Sequence, residues 1–197
     1  MSDVRALNFM TQPVLELTST QIGAIAENIV ANALMKESGG RLSPFSPVAD
    51  DDGIDLLIYD KITGKAVPVQ IKSRTKALKK RGTEDRGNVV HFEVRATTIK
   101  NDDFAYLVAV LLSENLSSID CAWFIPMKTV VSEARRGKDK FIIRPSRSNT
   151  SQDRFTTYRC SSALMLAQHV IALLDSVVPH RALTLRSSGT AQKRAAP

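Results

Sequence analysis

Ile54-Asp55-Leu56-Leu57-Ile58-Tyr59-Asp60-Lys61-Ile62-Thr63-Gly64-Lys65-Ala66-Val67-Pro68-Val69-Gln70-Ile71-Lys72 decides the fold of this 197-residue chain. Two apolar runs, Ile54–Tyr59 and Ala66–Lys72, flank Lys61-Ile62-Thr63-Gly64, which predicts two antiparallel strands joined by a turn. With residues 61–64 as the turn, paired residues have numbers that sum to 125, and Asp55 falls opposite Gln70. Directly opposed side chains have Cβ atoms about 4.5–5.5 Å apart. Val67, Val69 and Ile71 then point one way while Gln70 and Lys72 point the other. Asp55, Gln70 and Lys72 thus share one face of the sheet, and a slip of one residue would part them.

Upstream, the spacing predicts a helix over Gln21–Lys36, with Thr20 as N-cap and Gly39-Gly40 as its stop. Ile22, Ile25, Ala26, Ile29 and Ala33 form its apolar stripe, with Val30 and Leu34 on one shoulder and Glu27 at the margin beside them. Gly23, one turn before Glu27, lets the backbone approach a neighbouring element. Downstream, strands are predicted at Val89–Arg95, Tyr106–Leu112, Ala122–Ile125 and Phe141–Arg144, and helices at Lys128–Arg135 and Ser161–Ser176. Helix, hairpin, further strands and a closing helix predict a central mixed β-sheet flanked by α-helices. Residues 1–18 read as an N-terminal arm, 19–178 as one α/β domain and 179–197 as a basic tail.

The composition, 43% apolar and 24% charged, is that of a globular chain and excludes wholesale disorder and disulfide scaffolds. No apolar run nears the roughly 20 residues of a membrane span. Cys121 and Cys160 lie far apart with no CxxC spacing, as for reduced thiols of a cytoplasmic protein. The net charge of +7 is local: residues 72–86 carry +5, residues 181–197 carry +4, and the rest sums to −2. Such a loop and tail suit a polyanionic partner, or form a solvated charged surface.

The hairpin trio has a chemistry. Asp55 offers an anionic oxygen, Gln70 a neutral carbonyl oxygen and the Ile71 backbone carbonyl a third donor. Oxygen ligands with open positions suit Mg²⁺ or Mn²⁺, completed by water or phosphate. Lys72 is placed to orient an attacking water or to offset phosphoryl charge. The same alternation also describes the polar side of a half-exposed strand, and Glu27 alone also reads as a solvated helix acid.

Taken together, Gly23-x-x-x-Glu27, Asp51-Asp52-Gly53-Ile54-Asp55 and Val69-Gln70-Ile71-Lys72 resemble the PD-(D/E)XK nuclease superfamily. The likeness spans roughly residues 20–175, including the later strand-Pro-helix-strand segment from Trp123 to Ile143. It is nearest to QxK-type branches, which include one kind of homing endonuclease, and to Holliday-junction-resolvase-like families. The resemblance implies a restriction-endonuclease-like fold and Mg²⁺-dependent hydrolysis of DNA, or less often RNA. It implies that Asp55 is the metal-binding acid, that Gln70 and Lys72 fill the (D/E)xK element, and that Glu27 is the helix glutamate that touches the metal through water. Cutting both strands would suggest a homodimer. Gln70 departs from the pattern by replacing an acid, which leaves one fewer charge for the ion. The alternative is therefore a weak or inactive nucleic-acid-binding protein, or a complex subunit, on the same fold. Asp50, Asp51 and Asp52 either compensate that charge or form a solvated turn.

Ser73, Arg74, Lys76, Lys79, Lys80, Arg81 and Arg86 follow the lysine as candidate phosphate contacts. His91 alternates with Val90, Phe92 and Val94 and so shares a face with Glu93 and Arg95, either as a phosphate contact or as a plain surface histidine. Arg135, Arg136, Lys138 and Lys140 read as a basic turn. His169 and His180 have no metal-ligand spacing with a cysteine or acid. No phosphate-cradling glycine motif occurs, and Trp123 reads as core.

Overall fold

The computed structural model describes residues 16–49, 53–79, 82, 87–99 and 104–176. Most of the N-terminal arm, the C-terminal tail, Asp50 to Asp52, Lys80, Arg81 and Arg86 lie outside the described residues, as does His180. Helix α1 spans Ser19–Glu37 and is followed by strands β1 (Leu42–Phe45), β2 (Leu56–Asp60), β3 (Ala66–Arg74) and β4 (Phe92–Arg95). A 3-10 turn, Ala96–Thr98, leads toward β5 (Tyr106–Leu112) and β6 (Ile119–Pro126). Then come α2 (Met127–Glu133), β7 (Arg135–Arg136), β8 (Lys140–Ile143), β9 (Arg159–Cys160) and α3 (Ala163–Ser176).

The strands form a mixed six-stranded sheet in the order β1-β2-β3-β5-β6-β9, with three helices around it. β3 and β5 run parallel, while the other neighbours are antiparallel. The hairpin has the predicted register: Leu56 pairs with Val69, Leu57 with Pro68, Ile58 with Val67 and Tyr59 with Ala66. Pro68 is tolerated because the parallel ladder to β5 begins only at Val69, so no bond on that side asks for its missing N–H.

Period-two alternation gives the sheet two apolar faces. Val67, Val69, Ile71, Val108, Val110 and Phe124 face Ala26, Val30 and Leu34 of α1 and Leu166, Val170 and Leu174 of α3. Leu107, Ala109, Leu111, Trp123 and Ile125 face Phe92, Val94, Phe141 and Ile143, with Met127 and Val130 of α2. Phe92 and Trp123 meet edge to face, with ring centroids 5.8 Å apart, so Trp123 is core, as read.

Several expectations need correction. The N-cap of α1 is Thr18, not Thr20: Thr18 and Gln21 form a reciprocal capping box, with Gln21 N–H donating to Thr18 Oγ1 and Thr18 N–H to Gln21 Oε1. The buried centre of α1 is Ala26, Val30 and Leu34, so the helix is rolled toward the shoulder of its predicted stripe, which turns Glu27 inward to a half-buried position. β4 is not in the main sheet; it pairs with β8, which pairs with β7, in a separate three-stranded sheet. Arg135 and Arg136 therefore lie on a strand rather than in a helix end or turn. The edge strands β1 and β9 were not anticipated. Burial pushes the Cys121 thiol up to about 11 and the Cys160 thiol up to about 12, which leaves both unreactive at neutral pH. Among the described residues, no helix is long and apolar enough to cross a membrane.

Candidate active site

The β2–β3 ladder ends at Leu56 and Val69, one step short of Asp55 and Gln70. There Asp55 N–H still donates to the Val69 carbonyl at 3.0 Å, but the Ile71 N–H donates to Asp55 Oδ2 at 2.5 Å. The carboxylate thus takes the place in the ladder that a backbone carbonyl would fill, and it lies against the main chain of the Gln70-Ile71-Lys72 segment. Gln70 and Lys72 sit opposite Leu107 and Ala109 of β5 on the second apolar face, whereas Ile71, opposite Val108, packs toward α1.

Gln70 is 4% exposed. Its Nε2 donates to Thr98 Oγ1 at 3.1 Å, and the Thr98 hydroxyl donates to the Arg95 carbonyl at 3.0 Å. Gln70 Oε1 is buried with no hydrogen-bond partner among the described residues. Leaving a buried acceptor unsatisfied costs about 1–3 kcal/mol. Such an atom, one residue from the Ile71 N–H that the Asp55 carboxylate accepts, is an oxygen a hard cation could use. The fit to Mg²⁺ or Mn²⁺ thus rests on Asp55, the bare Gln70 Oε1 and the Ile71 carbonyl. No group of three or more His, Cys, Asp or Glu side chains is placed to hold a metal among the described residues, so a cation here depends on amide and main-chain oxygens.

The helix acid approaches from the other side. Glu27 and Lys72 line one open cavity of about 310 Å³ together with Ser19, Ile22, Gly23, Ile71, Ser73, Arg74 and Thr75. The structure therefore brings Glu27, Ile71, Lys72, Ser73 and Arg74 to one concavity, with Asp55 reaching the same strand from its far side. Gly23 does not serve a close approach: nothing lies within 4 Å of where its Cβ would be. Its missing side chain instead keeps the cavity wall low.

Beyond the cavity, Arg74 Nε donates to the His91 carbonyl at 3.0 Å, and Arg144 Nε donates to His91 Nδ1 at 3.1 Å. A guanidinium only donates, so His91 accepts at Nδ1 and its Nε2–H points at Glu93 Oε1, 3.1 Å away. Lys140, then His91, holds the Glu93 carboxyl down to about 2. Arg95, Lys140, Arg144 and Arg135 lie on the outward side of the three-stranded sheet, against the acid Glu93. Lys76 and Lys79 are exposed on the loop that buried Ala77 pins to the second core. His169 Nδ1 lies 3.3 Å from Cys160 Sγ, a pairing that sequence spacing did not suggest.

Two residues at the site were not singled out from sequence. Thr98 is 28 positions from the glutamine it touches, so no local period connects them. Gly53 was visible only as part of the segment before Asp55. With φ +68°, it is pressed against Thr98 and Gln70, and a Cβ there would lie 2.6 Å from Thr98 Cβ and 3.2 Å from Gln70 Nε2.

The fold class these elements define is an α/β one, a six-stranded mixed sheet with flanking helices, and it occurs in a solved bacterial homing endonuclease. That structure is I-Ssp6803I; it is 21% identical to this chain, the alignment covers 82% of this chain and 100% of that one, and the TM-score is 0.50. At this identity the likeness establishes the fold alone. No protein-family model and no curated protein matches the sequence.

Proposed function

We propose that the chain is a metal-dependent endonuclease that hydrolyses DNA phosphodiester bonds. The observation that carries this reading is the buried, unpartnered Gln70 Oε1, on the strand whose next residue, Ile71, donates its N–H to the Asp55 carboxylate and lines a cavity with Glu27 and Lys72. The PD-(D/E)XK resemblance of the same residues and the homing-endonuclease-like fold support it.

Asp55, Gln70 and the Ile71 carbonyl would hold Mg²⁺ or Mn²⁺. Once bound, the ion supplies positive charge at the phosphoryl oxygens. Lys72 orients the attacking water and offsets charge that develops on phosphate. Glu27, on the helix side of the cavity, holds a second water by hydrogen bonding. Ser73 and Arg74 grip the phosphate next to the reacting one. The exposed cations Lys76 and Lys79, the further basic residues Lys80, Arg81 and Arg86, and the surface around His91 bind backbone phosphates, which contribute affinity rather than sequence choice.

Gln70 itself favours one other reading, a binding module without cleavage, since it brings no charge to the cation. A plasmid-nicking assay in Mg²⁺ and in Mn²⁺, run beside a gel shift at several salt concentrations, decides between them. Metal-dependent nicking abolished by EDTA is the expected outcome. Salt-sensitive binding with no nicking in either metal would leave the module, and neither binding nor nicking would overturn both.

A further inference from the structure

The terminal amide of a glutamine has two ends of nearly equal shape and opposite chemistry. A carboxylate can rotate by half a turn and present the same oxygen; an amide that does so replaces an acceptor with two donors. A glutamine that serves a cation therefore needs something to decide its orientation, and this chain has such a device around Gln70.

The Thr98 hydroxyl proton is committed to the Arg95 carbonyl at 3.0 Å, so Thr98 Oγ1 meets Gln70 with a lone pair. Only the NH₂ end of the amide can be accepted there, and it is, at 3.1 Å. Oε1 is thereby left as the end without a partner among the described residues. Gly53 closes the device from the other side: a Cβ on it would stand 2.6 Å from Thr98 Cβ, 3.0 Å from the Thr98 carbonyl oxygen and 3.2 Å from Gln70 Nε2. Gly53 also lies two residues before Asp55, so one short segment delivers the carboxylate and packs the Thr98–amide contact.

We propose that Thr98, backed by Gly53, is a positioning residue that locks the Gln70 amide with its carbonyl oxygen toward the cation, and that this lock lets a neutral side chain do there what a carboxylate does without assistance. The inference rests on the proposed function. It predicts a specific dependence: Thr98 matters while residue 70 is an amide and ceases to matter when it is a carboxylate.

The test uses Thr98→Val, which keeps the shape and removes the hydroxyl, and Thr98→Ser, which keeps the hydroxyl, each with Gln70 and with Gln70→Glu. Mn²⁺ binding without DNA is measured by calorimetry, cleavage by kcat and KM, and the Gln70 side-chain NH₂ by hydrogen exchange in NMR spectra. With Gln70, Thr98→Val should weaken Mn²⁺ binding about 10-fold or more, as loss of an outer-shell partner does, and should lower kcat with KM for DNA little changed. It should also speed exchange of the Gln70 NH₂, while Thr98→Ser stays near wild type. With Gln70→Glu, Thr98→Val should change Mn²⁺ binding less than about 3-fold, since no amide remains to be oriented. Equal losses in both backgrounds, or a wild-type Gln70 NH₂ that exchanges like a free glutamine, would overturn the lock. A wild-type protein that binds no Mn²⁺ and cuts no DNA would overturn the proposed function. NH₂ protection that Thr98→Val removes would then show that the clamp exists without that purpose.

Discussion

The two ends of the β2–β3 hairpin place two aspartates in different settings. Asp60 is completely buried and fully answered: Arg41 donates to both carboxylate oxygens at 3.0 and 2.7 Å, the Ile62 N–H at 2.9 Å and the Thr63 hydroxyl at 2.8 Å. Arg41 also bridges to Asp175 at the end of α3, which ties the hairpin turn to the closing helix. At the other end, Asp55 caps the Ile71 N–H, and the next residue across, Gln70, keeps a buried oxygen with no partner among the described residues. One end of the hairpin is a closed electrostatic joint and the other holds an unsatisfied buried amide oxygen. The contrast sets a carboxylate that stabilises the fold against a buried amide oxygen that finds no partner among the described residues.

The sharpest way to break this contrast is at the open end. Lys72→Ala should slow single-turnover cleavage by about 10²–10³-fold while DNA affinity stays within about 3-fold; cutting at the wild-type rate would refute the assignment of the lysine. A paired exchange comes next. Asp60→Asn should cost roughly 2–4 kcal/mol in urea unfolding, because it strips charge from a buried pair, while leaving cleavage by the folded protein intact. Asp55→Asn should instead abolish cleavage and Mn²⁺ binding in a protein that still folds. If both variants behave alike, the distinction between the two ends fails.

Acid should weaken the closed end. Arg41, the largest cause, holds the Asp60 carboxyl well below the usual carboxylate range. A group with a depressed folded pKa stabilises the fold fully above its unfolded value, near 4, and loses that contribution as pH falls through the folded value. Stability measured by urea unfolding from about pH 5 downward should therefore decline, and Asp60→Asn should flatten that decline. The smallest effect is expected at Gly23, on the cavity wall. Gly23→Ala should raise stability by about 0.5–1 kcal/mol through helix propensity, since nothing lies within 4 Å of the added methyl. A loss of stability there would show that the wall is packed rather than open.

Some of this was legible in the chain. Register follows from a four-residue turn and the alternation of Val67, Val69 and Ile71, so the pairing of Leu56 with Val69, one step from Asp55 and Gln70, could be counted from the sequence. Glu27 was legible as a marginal helix acid. Its inward turn was not, because the roll of α1 depends on how Val30 and Leu34 seat against the sheet and α3. β1 was hidden by Pro44, which reads against a strand and is tolerated at an edge. β4 was legible as a strand but not as a member of a second sheet, since alternation names a face and never a partner.

The sequence by itself determined the long helices and central strands, the hairpin register and the residue types gathered near Asp55, because periodicity and turn chemistry act over a few neighbouring positions. The tertiary structure made Asp60 a joint with Arg41, and it set Thr98 and Gly53 upon the Gln70 amide. Those contacts join positions as far apart as Arg41 and Asp175, or Gln70 and Thr98. They depend on the paths that loops take once both faces of the sheet are covered, and no local pattern encodes such a path.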